Sequence, residues 1–233
     1  MIEVQEDGEA LKDASDEFKA DREIVLTAVS QWAGALFLAN EKFFADREVV
    51  LTAVKTNGDA LKFAVDGLKS DPEIVLEAVK NNGLALQHTT ENLKNDRQIV
   101  LTAVRQNAWA LRFASDALKR DRETITAAID QPGGGRALKY ADAKFRADRA
   151  IVLAAVKYSD GVLELADDSL TKDKEIILAA VKNDGWALKY ASEKLRSDFE
   201  VVFTAVTANQ WSIKFADEKL KIDPRIISLA SKS

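Results

Sequence analysis

The chain has 233 residues, of which 47% are hydrophobic, and its formal net charge is −5 at pH 7. It contains no cysteine, which excludes disulfides, thiolate metal ligands and a cysteine nucleophile. No apolar run approaches the roughly 18 residues that a membrane span needs, so direct membrane insertion is not expected. No basic block is present, so nucleic acid is not an expected partner. The amino terminus shows no signal peptide, which favours an intracellular location, in the cytoplasm or an organelle, without fixing the compartment.

An aspartate recurs at a nearly fixed interval along the whole chain. The interval is 25 residues at every step but one, where it is 27. The copies are Asp21, Asp46, Asp71, Asp96, Asp121, Asp148, Asp173, Asp198 and Asp223. Self-similarity at such a short period is typical of a repeat array, in which each unit packs only on its neighbours.

Each aspartate begins a segment with the pattern of an α-helix. When positions are counted from the aspartate as 1, positions 4, 5, 8 and 9 are apolar in almost every copy. This spacing forms one stripe along a helix. The aspartate then suits the N-cap, where its carboxylate accepts from free backbone N–H groups. Pro72 and Pro224 follow it directly in two copies, at the first helical position, where proline is tolerated.

The second half of each repeat predicts a turn and a shorter helix. Asn or Asp precedes Gly at Asn57-Gly58, Asn82-Gly83 and Asp184-Gly185. We expect these pairs to end the first helix because they tolerate positive φ. Leu or Ile at position 16, Ala at position 19 in all copies but one, and a large apolar residue at position 23 then indicate a second helix.

These patterns predict an all-α fold, an α-solenoid of about eight 25-residue two-helix repeats with half-repeats at both ends. We expect residues 1–233 to form a single array. Within it, residues 1–20 are a partial amino-terminal repeat, residues 21–222 are eight repeats, and residues 223–233 are a capping helix. The fifth repeat, residues 121–147, is irregular.

The irregular fifth repeat leaves two interpretations open. Thr124 and Thr126 replace the usual apolar residues, and an enlarged turn, Gln131 to Gly135, accounts for the two extra residues. One interpretation is a loop insertion on an exposed edge. The other is a hinge or a partner-contacting loop. Its candidate residues are Pro132, Gly133, Gly134 and Gly135. A phosphate-binding loop is excluded because no Gly-Lys-Ser/Thr follows the glycines.

No catalytic, cofactor-binding or metal-binding residue is predicted. His88 is the only histidine and stands at position 18, where other copies carry Phe, Tyr or Leu, so we interpret it as filling an aromatic slot. Without a second His or a Cys, a zinc site is not expected. The aspartates repeat with the period, and no catalytic pair breaks the symmetry. We therefore predict that the protein is not an enzyme.

Position 14 varies more than its surroundings and is the best candidate for binding. It holds Trp in three copies and Leu in one, but Gly, Asp, Glu or Arg elsewhere. One interpretation is that each Trp covers a neighbouring loop, and the other is that the Trp residues anchor a protein partner. Trp32 at position 12 and Phe37 at position 17 add an apolar patch. The candidate partner-binding residues are Trp32, Phe37, Leu84, Trp109, Trp186 and Trp211.

The repeat resembles a known family. Its pattern is best seen from Asp173 to Leu195, which reads DKEIILAAVKNDGWALKYASEKL. This motif and its many copies resemble the repeats of the domain of unknown function 4116. The resemblance implies an α-helical repeat array and carries over no catalytic residue, cofactor or partner.

The sequence favours a non-catalytic scaffold or adaptor for protein–protein interaction that presents an extended repeat surface to other proteins. The alternative is a structural role as an accessory or linker subunit bound permanently to a large organellar complex, including a membrane-associated one. The partner's identity and the oligomeric state stay open.

Overall fold

The computed structural model describes residues 7–231, and the chain in this range is all-α, with no β-strand. Nine principal helices in the described range each begin immediately after the repeated aspartate. They are α1 (Arg22–Gln31), α2 (Arg47–Thr56), α3 (Pro72–Asn81), α4 (Arg97–Gln106), α5 (Arg122–Ile129), α6 (Arg149–Tyr158), α7 (Lys174–Asn183), α8 (Phe199–Ala208) and α9 (Pro224–Ala230). The solenoid predicted from the period is therefore confirmed.

The aspartates cap these helices as predicted. In α2, the side chain of Asp46 accepts from the backbone N–H of Glu48 and of Val49 at 3.0 and 3.2 Å. Every other copy also accepts from a first-turn N–H. Asp121 accepts in addition from the Thr124 hydroxyl at 2.9 Å, which satisfies this buried polar group in the irregular repeat.

The predicted second helix of each pair is divided into two short segments. The first is a 3₁₀ helix in most repeats, and the second is a single turn. The first segments are Gly8–Asp13, Ala35–Leu38, Gly58–Phe63, Gly83–His88, Ala108–Phe113, Gly134–Tyr140, Val162–Glu164, Gly185–Tyr190 and Gln210–Phe215; Ala35–Leu38 alone is α-helical. The single turns are Asp16–Lys19, Glu41–Ala45, Asp66–Lys69, Glu91–Lys94, Leu118–Arg120, Ala143–Arg146, Asp168–Lys172, Glu193–Arg196 and Glu218–Lys221.

The chain divides into two compact units, the first ending at Thr124 and the second beginning at Ile125, so the boundary lies inside α5. In the first unit, α1 to α4 pack side by side in chain order, and the 3₁₀ segments from Gly58 to Phe113 form a second layer of neighbours. In the second unit, α6 to α9 pack in the same order against their own 3₁₀ layer. Four 3₁₀ segments contact both the helix before them and the helix after them, namely Gly58–Phe63, Gly83–His88, Gly185–Tyr190 and Gln210–Phe215.

The core of each unit lies between the two layers. Position 5 is fully buried in α1 to α4, as is the Leu at position 16 of the 3₁₀ segment, for example Leu86. Burying such a side chain contributes about 1.5–3 kcal/mol relative to exposure. A repeat that lacked its neighbours would leave these side chains exposed to water, so the stacking of repeats stabilises the array.

The glycines that follow the first helix do not have the positive φ that the sequence pattern predicted. Asn57, the last residue before Gly58, is extended, with φ −151° and ψ 116°. In the described chain, positive φ occurs only at Gly133 and Gly161. Instead, a Cβ on Gly58 would overlap the backbone carbonyl of Ala78 in the next repeat. Glycine is needed here because the 3₁₀ layer approaches the following helix closely.

A row of ion pairs joins successive repeats on the helix side. The cation at position 2 of one repeat contacts the capping aspartate and the glutamate at position 3 of the next. Five cations do so: Arg22 with Asp46 and Glu48, Arg47 with Asp71 and Glu73, Arg97 with Asp121 and Glu123, Arg149 with Asp173 and Glu175, and Lys174 with Asp198 and Glu200. The aspartate therefore both caps its own helix and receives a cation from the preceding repeat.

The terminal segments of the chain follow the same plan. At the amino-terminal end, Gly8–Asp13 packs on α1, and residues 1–6 of the predicted partial repeat lie outside the described residues. At the other end, α9 buries Ile226 and exposes Ser228, and Ser231, which follows the helix, is also exposed. Residues 232 and 233 of the predicted capping helix lie outside the described residues.

Candidate partner-binding surface

In six repeats the N-cap of the segment fixes the backbone at position 14. The side chain at position 12 accepts a hydrogen bond from the backbone N–H at position 14. Trp109 N–H donates to Asn107 Oδ1 and Trp186 N–H donates to Asp184 Oδ1, each at 3.0 Å. Such a cap holds the backbone of the first turn in place, whatever side chain position 14 carries. The same frame therefore presents different side chains in different repeats.

The predicted binding residues are exposed to different extents. Trp109, Trp186 and Trp211 are 40%, 36% and 66% exposed. Trp32 is 41% exposed and Phe37 is 64% exposed. Leu84 is half-buried. Trp32, Phe37, Leu84 and Trp109 belong to the first unit, and Trp186 and Trp211 to the second.

Position 14 contacts position 18 of the next repeat. In the second unit, Trp186 meets Phe215 edge to face at 5.7 Å between ring centroids, and the ammonium of Lys214 lies 4.3 Å from the Trp186 ring. In the first unit, the same two positions hold Asp59 and His88, whose Oδ1 and Nε2 are 3.0 Å apart. The interpretation of Trp as cover for a neighbour therefore applies to Trp186, although part of its ring stays exposed.

His88 lies in the position predicted for it, at a half-buried aromatic slot. Its partner Asp59 also accepts from Lys62 at 2.9 Å. The hydrogen bonds from Lys62 and from His88 hold the pKa of Asp59 below its ordinary value. Asp59 and His88 therefore link two neighbouring repeats, as the rings of Trp186 and Phe215 do at the same positions in the second unit.

Glycine at position 14 changes the contact, because a neighbouring planar group covers the empty place. A Cβ on Gly34 would overlap the benzene part of the Trp32 indole, so Trp32 lies over Gly34. Over Gly161 lies the guanidinium of Arg136, whose Nη2 is 3.1 Å from the place of a Cβ. Arg136 also pairs with Asp160 at 3.1 Å.

In the same two repeats, position 17 makes the contact with position 18 of the next repeat. Phe37 lies 5.3 Å from Phe63 between ring centroids. Glu164 Oε2 accepts from the Tyr190 hydroxyl at 3.4 Å. Phe37 is thus part of a contact with the second repeat, and its predicted apolar patch with Trp32 stays a prediction.

The enlarged turn of the fifth repeat is held to the sixth. Gly133 has φ 75° and donates from its backbone N–H to the carbonyl of Tyr158 at 3.1 Å. Gly134 and Gly135 are buried, and Gly135 N–H donates to the Ser159 hydroxyl at 2.8 Å. Pro132 and Gly133 are exposed. A partner-contacting role for this loop therefore depends on these two residues.

Three features of the structure were not predicted from the sequence. They are the contact between positions 14 and 18, the planar cover on the glycines, and the ion-pair row. A signal for the ion pairs was present, since Arg or Lys at position 2 precedes an acid pair one period later in five repeats. The sequence contains no such signal for the cover of Gly161 by Arg136, because the Arg136 side chain crosses from the fifth repeat to the sixth.

Within residues 7–231, no group of His, Asp and Glu side chains is arranged to hold a metal ion. None of the helices described is long and apolar enough to cross a membrane.

Comparison with family models identifies the repeat. The model described as domain of unknown function (DUF4116) matches residues 4–44, 46–94, 71–119, 121–172 and 173–221. These matches cover most of the chain, so the chain belongs to this family, as the sequence pattern indicated. A comparison with curated proteins and one with solved structures each gave no match.

Proposed function

We propose that this DUF4116 repeat protein is a non-catalytic scaffold or adaptor that binds other proteins through the 3₁₀ side of its repeats. The observation that carries the proposal is the variation of position 14 on a constant frame. The cap at position 12 holds the backbone alike in the repeats that carry Asp59, Leu84, Trp109 and Trp186. The side chain can therefore vary without altering the fold.

The exposed tryptophans support a protein as the partner. Trp is enriched among the residues that dominate binding energy at protein interfaces, where it is buried at the centre of the contact. Trp211 is 66% exposed, and it lines a shallow groove with Val206, Gln210 and Leu229. In the second unit it is the position-14 residue with the most area left for a partner to bury.

The proposal is tested by capturing partners from a native source on the immobilised full chain, with identification by mass spectrometry. We expect a small set of proteins in stoichiometric amounts. Trp109→Ala and Trp211→Ala should reduce their recovery. Phe203→Ala is the matched control because Phe203 is 39% exposed in the same repeat as Trp211 but lies on α8. Equal recovery with all three variants would remove position 14 from the proposal. The absence of any enriched protein would overturn the proposal.

A second candidate function is that of a permanently bound accessory or linker subunit of a large organellar complex. Apolar exposure in the last repeats favours it, since Ile222 is 74% exposed and Ile227 is 43% exposed, besides Trp211. Obligate interfaces are more apolar than transient ones. A permanent subunit should self-associate when purified alone and should not exchange from its complex on dilution. An adaptor should be monodisperse and should exchange.

A further inference from the structure

The second unit contains a cavity that was not predicted from the sequence. It has a volume of about 160 Å³ and lies between the 3₁₀ segments of the sixth and seventh repeats. We name it the Gly161 notch. The residues that bear on its chemistry are Arg136, Asp160, Gly161, Glu164, Trp186 and Tyr190.

The notch exists because the sixth repeat lacks a side chain at position 14. Gly161 has φ 67°, and the 3₁₀ segment that follows it, Val162–Glu164, has three residues, whereas the one in the seventh repeat has six. Val162 and Ala187 are 1% and 8% exposed and contribute apolar surface to the lining. The guanidinium of Arg136 covers Gly161 itself, and the shortened segment leaves space open beside that guanidinium.

The walls of the notch suit a planar ring. The Arg136 guanidinium lies over Gly161, and Trp186 contributes an aromatic surface from the next repeat. Guanidinium groups and indoles both stack on aromatic rings. Two carboxylates, of Asp160 and Glu164, stand among the lining residues. A carboxylate has room for more than one hydrogen bond, so each can accept from a ring N–H in addition to its present partner.

The first unit has an aromatic ring beside the equivalent glycine, where the sixth repeat has Arg136. Gly34 is the other glycine at position 14, and the indole of Trp32 occupies the space beside it. Trp32 reaches that space from position 12 of its own repeat. In the sixth repeat, position 12 is Ser159, a small residue that is 5% exposed and accepts from Gly135 N–H. No ring of the sixth repeat covers Gly161; the guanidinium of Arg136, from the fifth repeat, lies over it instead, and the notch is the space that remains beside that planar group.

We propose that the Gly161 notch binds a tryptophan side chain of a protein partner. This inference rests on the proposed scaffold function and deepens it by naming the group that is recognised. A cavity of about 150 Å³ holds a benzene-sized ring, which is the part of an indole that covers Gly34 in the first repeat. The ring stacks against Arg136, and its N–H donates to the carboxylate of Asp160 or Glu164.

The test uses N-acetyltryptophanamide as the probe and the full chain labelled with ¹⁵N. We expect saturable shifts of the backbone amide signals of Gly161 and Val162, and none with the cyclohexylalanine analogue, which has no planar ring. Arg136→Ala should weaken binding by about twofold to fivefold, which corresponds to the loss of one exposed cation–π contact of about 0.5–1 kcal/mol.

Gly161→Asn should abolish the shifts. Asn tolerates positive φ, so the backbone is retained while its side chain enters the notch. Gly133→Asn is the matched control, because Gly133 has φ 75° and no atom lies within 4 Å of the place of its Cβ. The control should bind the probe like the native chain. Circular dichroism of both variants verifies that they are folded.

The results separate this inference from the proposed function. The notch inference is overturned if the native chain gives no saturable shift, or if Gly161→Asn binds as well as Gly133→Asn. It is also overturned if captured proteins are recovered equally by Gly161→Asn and the native chain, although the scaffold function then stands. Probe binding without any captured protein overturns the assignment of the occupant to a protein partner, and the scaffold function fails with it.

Discussion

At the scale of single residues, small side chains set the distance between the two layers. A Cβ on Gly83 would overlap the backbone carbonyl of Ala103 in α4. Gly8, Gly58 and Gly185 stand in the same relation to the next repeat. In each case the obstacle is backbone, which cannot rotate away as a side chain can. These glycines thus act through close approach, and their φ angles are ordinary.

We predict that Gly83→Ala destabilises the chain by about 1–2 kcal/mol, because the 3₁₀ layer must move away from α4 to admit the methyl group. Ala33 and Ala108 occupy the same repeat position and are buried, so we expect a displacement and no loss of the fold. The measurement is the free energy of unfolding from urea titration.

Gly67→Ala is the control for this substitution. Gly67 lies in the exposed turn Asp66–Lys69, and its Cβ would meet nothing within 4 Å. Alanine there should stabilise the chain by a few tenths of a kcal/mol up to about 1 kcal/mol. If both substitutions had the same effect, helix propensity would explain them and close approach would not.

The tryptophans at position 14 differ in what they contribute to stability. Trp186 contacts both the Phe215 ring and the Lys214 ammonium, whereas Trp211 is 66% exposed. We predict that Trp186→Ala lowers the free energy of unfolding by about 1–2 kcal/mol, since an aromatic pair and a cation–π contact are lost. Trp211→Ala should change it by less than about 0.5 kcal/mol. Urea titration of both variants decides, and equal losses would place Trp211 in the packed core.

At the scale of helices and turns, the capping aspartate joins two interactions. The hydrogen bond from Arg149 and the backbone N–H groups of α7 hold the pKa of Asp173 below its ordinary value. Arg22 does the same for Asp46 at the start of α2. A carboxylate with a lower pKa in the folded chain favours folding above its unfolded pKa of about 3.9, and this contribution is lost as the pH falls through the folded value.

We therefore predict that the urea midpoint is steady between about pH 5 and 7 and falls below about pH 4. The fall should continue toward pH 2, since the pKa of Asp223 beside Arg225 is lowered to about 2. Arg149→Ala should lower the midpoint at pH 7 and reduce its fall on acidification, because Asp173 then has a pKa nearer to that of the unfolded chain.

The control for this effect is Lys194→Ala, which removes an exposed cation from the same unit without breaking an ion pair among the described residues. It should leave the acid-side fall unchanged. Added salt should reduce the difference between Arg149→Ala and the native chain, because exposed ion pairs are screened. A difference that persists at about 1 M salt, where the screening length is about 3 Å, would mean that packing of the arginine stem matters more than its charge.

The sequence predicted these elements unevenly, for physical reasons. The period, the helices and the aspartate caps are local properties, and the apolar stripe with an N-cap is enough to identify α2 or α7. The division into a 3₁₀ segment and a turn was missed because Gly58–Phe63 is set by the distance to the next helix. The cover over Gly34 and Gly161 was missed for a similar reason. It depends on how far Trp32 and Arg136 reach in three dimensions.

At the scale of the whole molecule, contacts are made between neighbouring repeats. The 3₁₀ segment Gly83–His88 contacts α3 and α4, and Gly185–Tyr190 contacts α7 and α8. In such an array, stability is approximately the sum of the repeats and of the interfaces between neighbours. A defect in one repeat should therefore act mainly on the repeats beside it.

We predict that Leu86→Ala, at a fully buried position, costs about 3 kcal/mol and that the loss is local. Amide hydrogen exchange with mass spectrometry should show faster exchange in α3 and α4, while α7 and α8 keep their protection. Leu188→Ala is the equivalent substitution in the second unit and should give the reverse pattern. Uniform acceleration along the chain in both variants would instead show that the array unfolds as one cooperative body. A partner could then bind and stabilise either unit only by stabilising the whole chain.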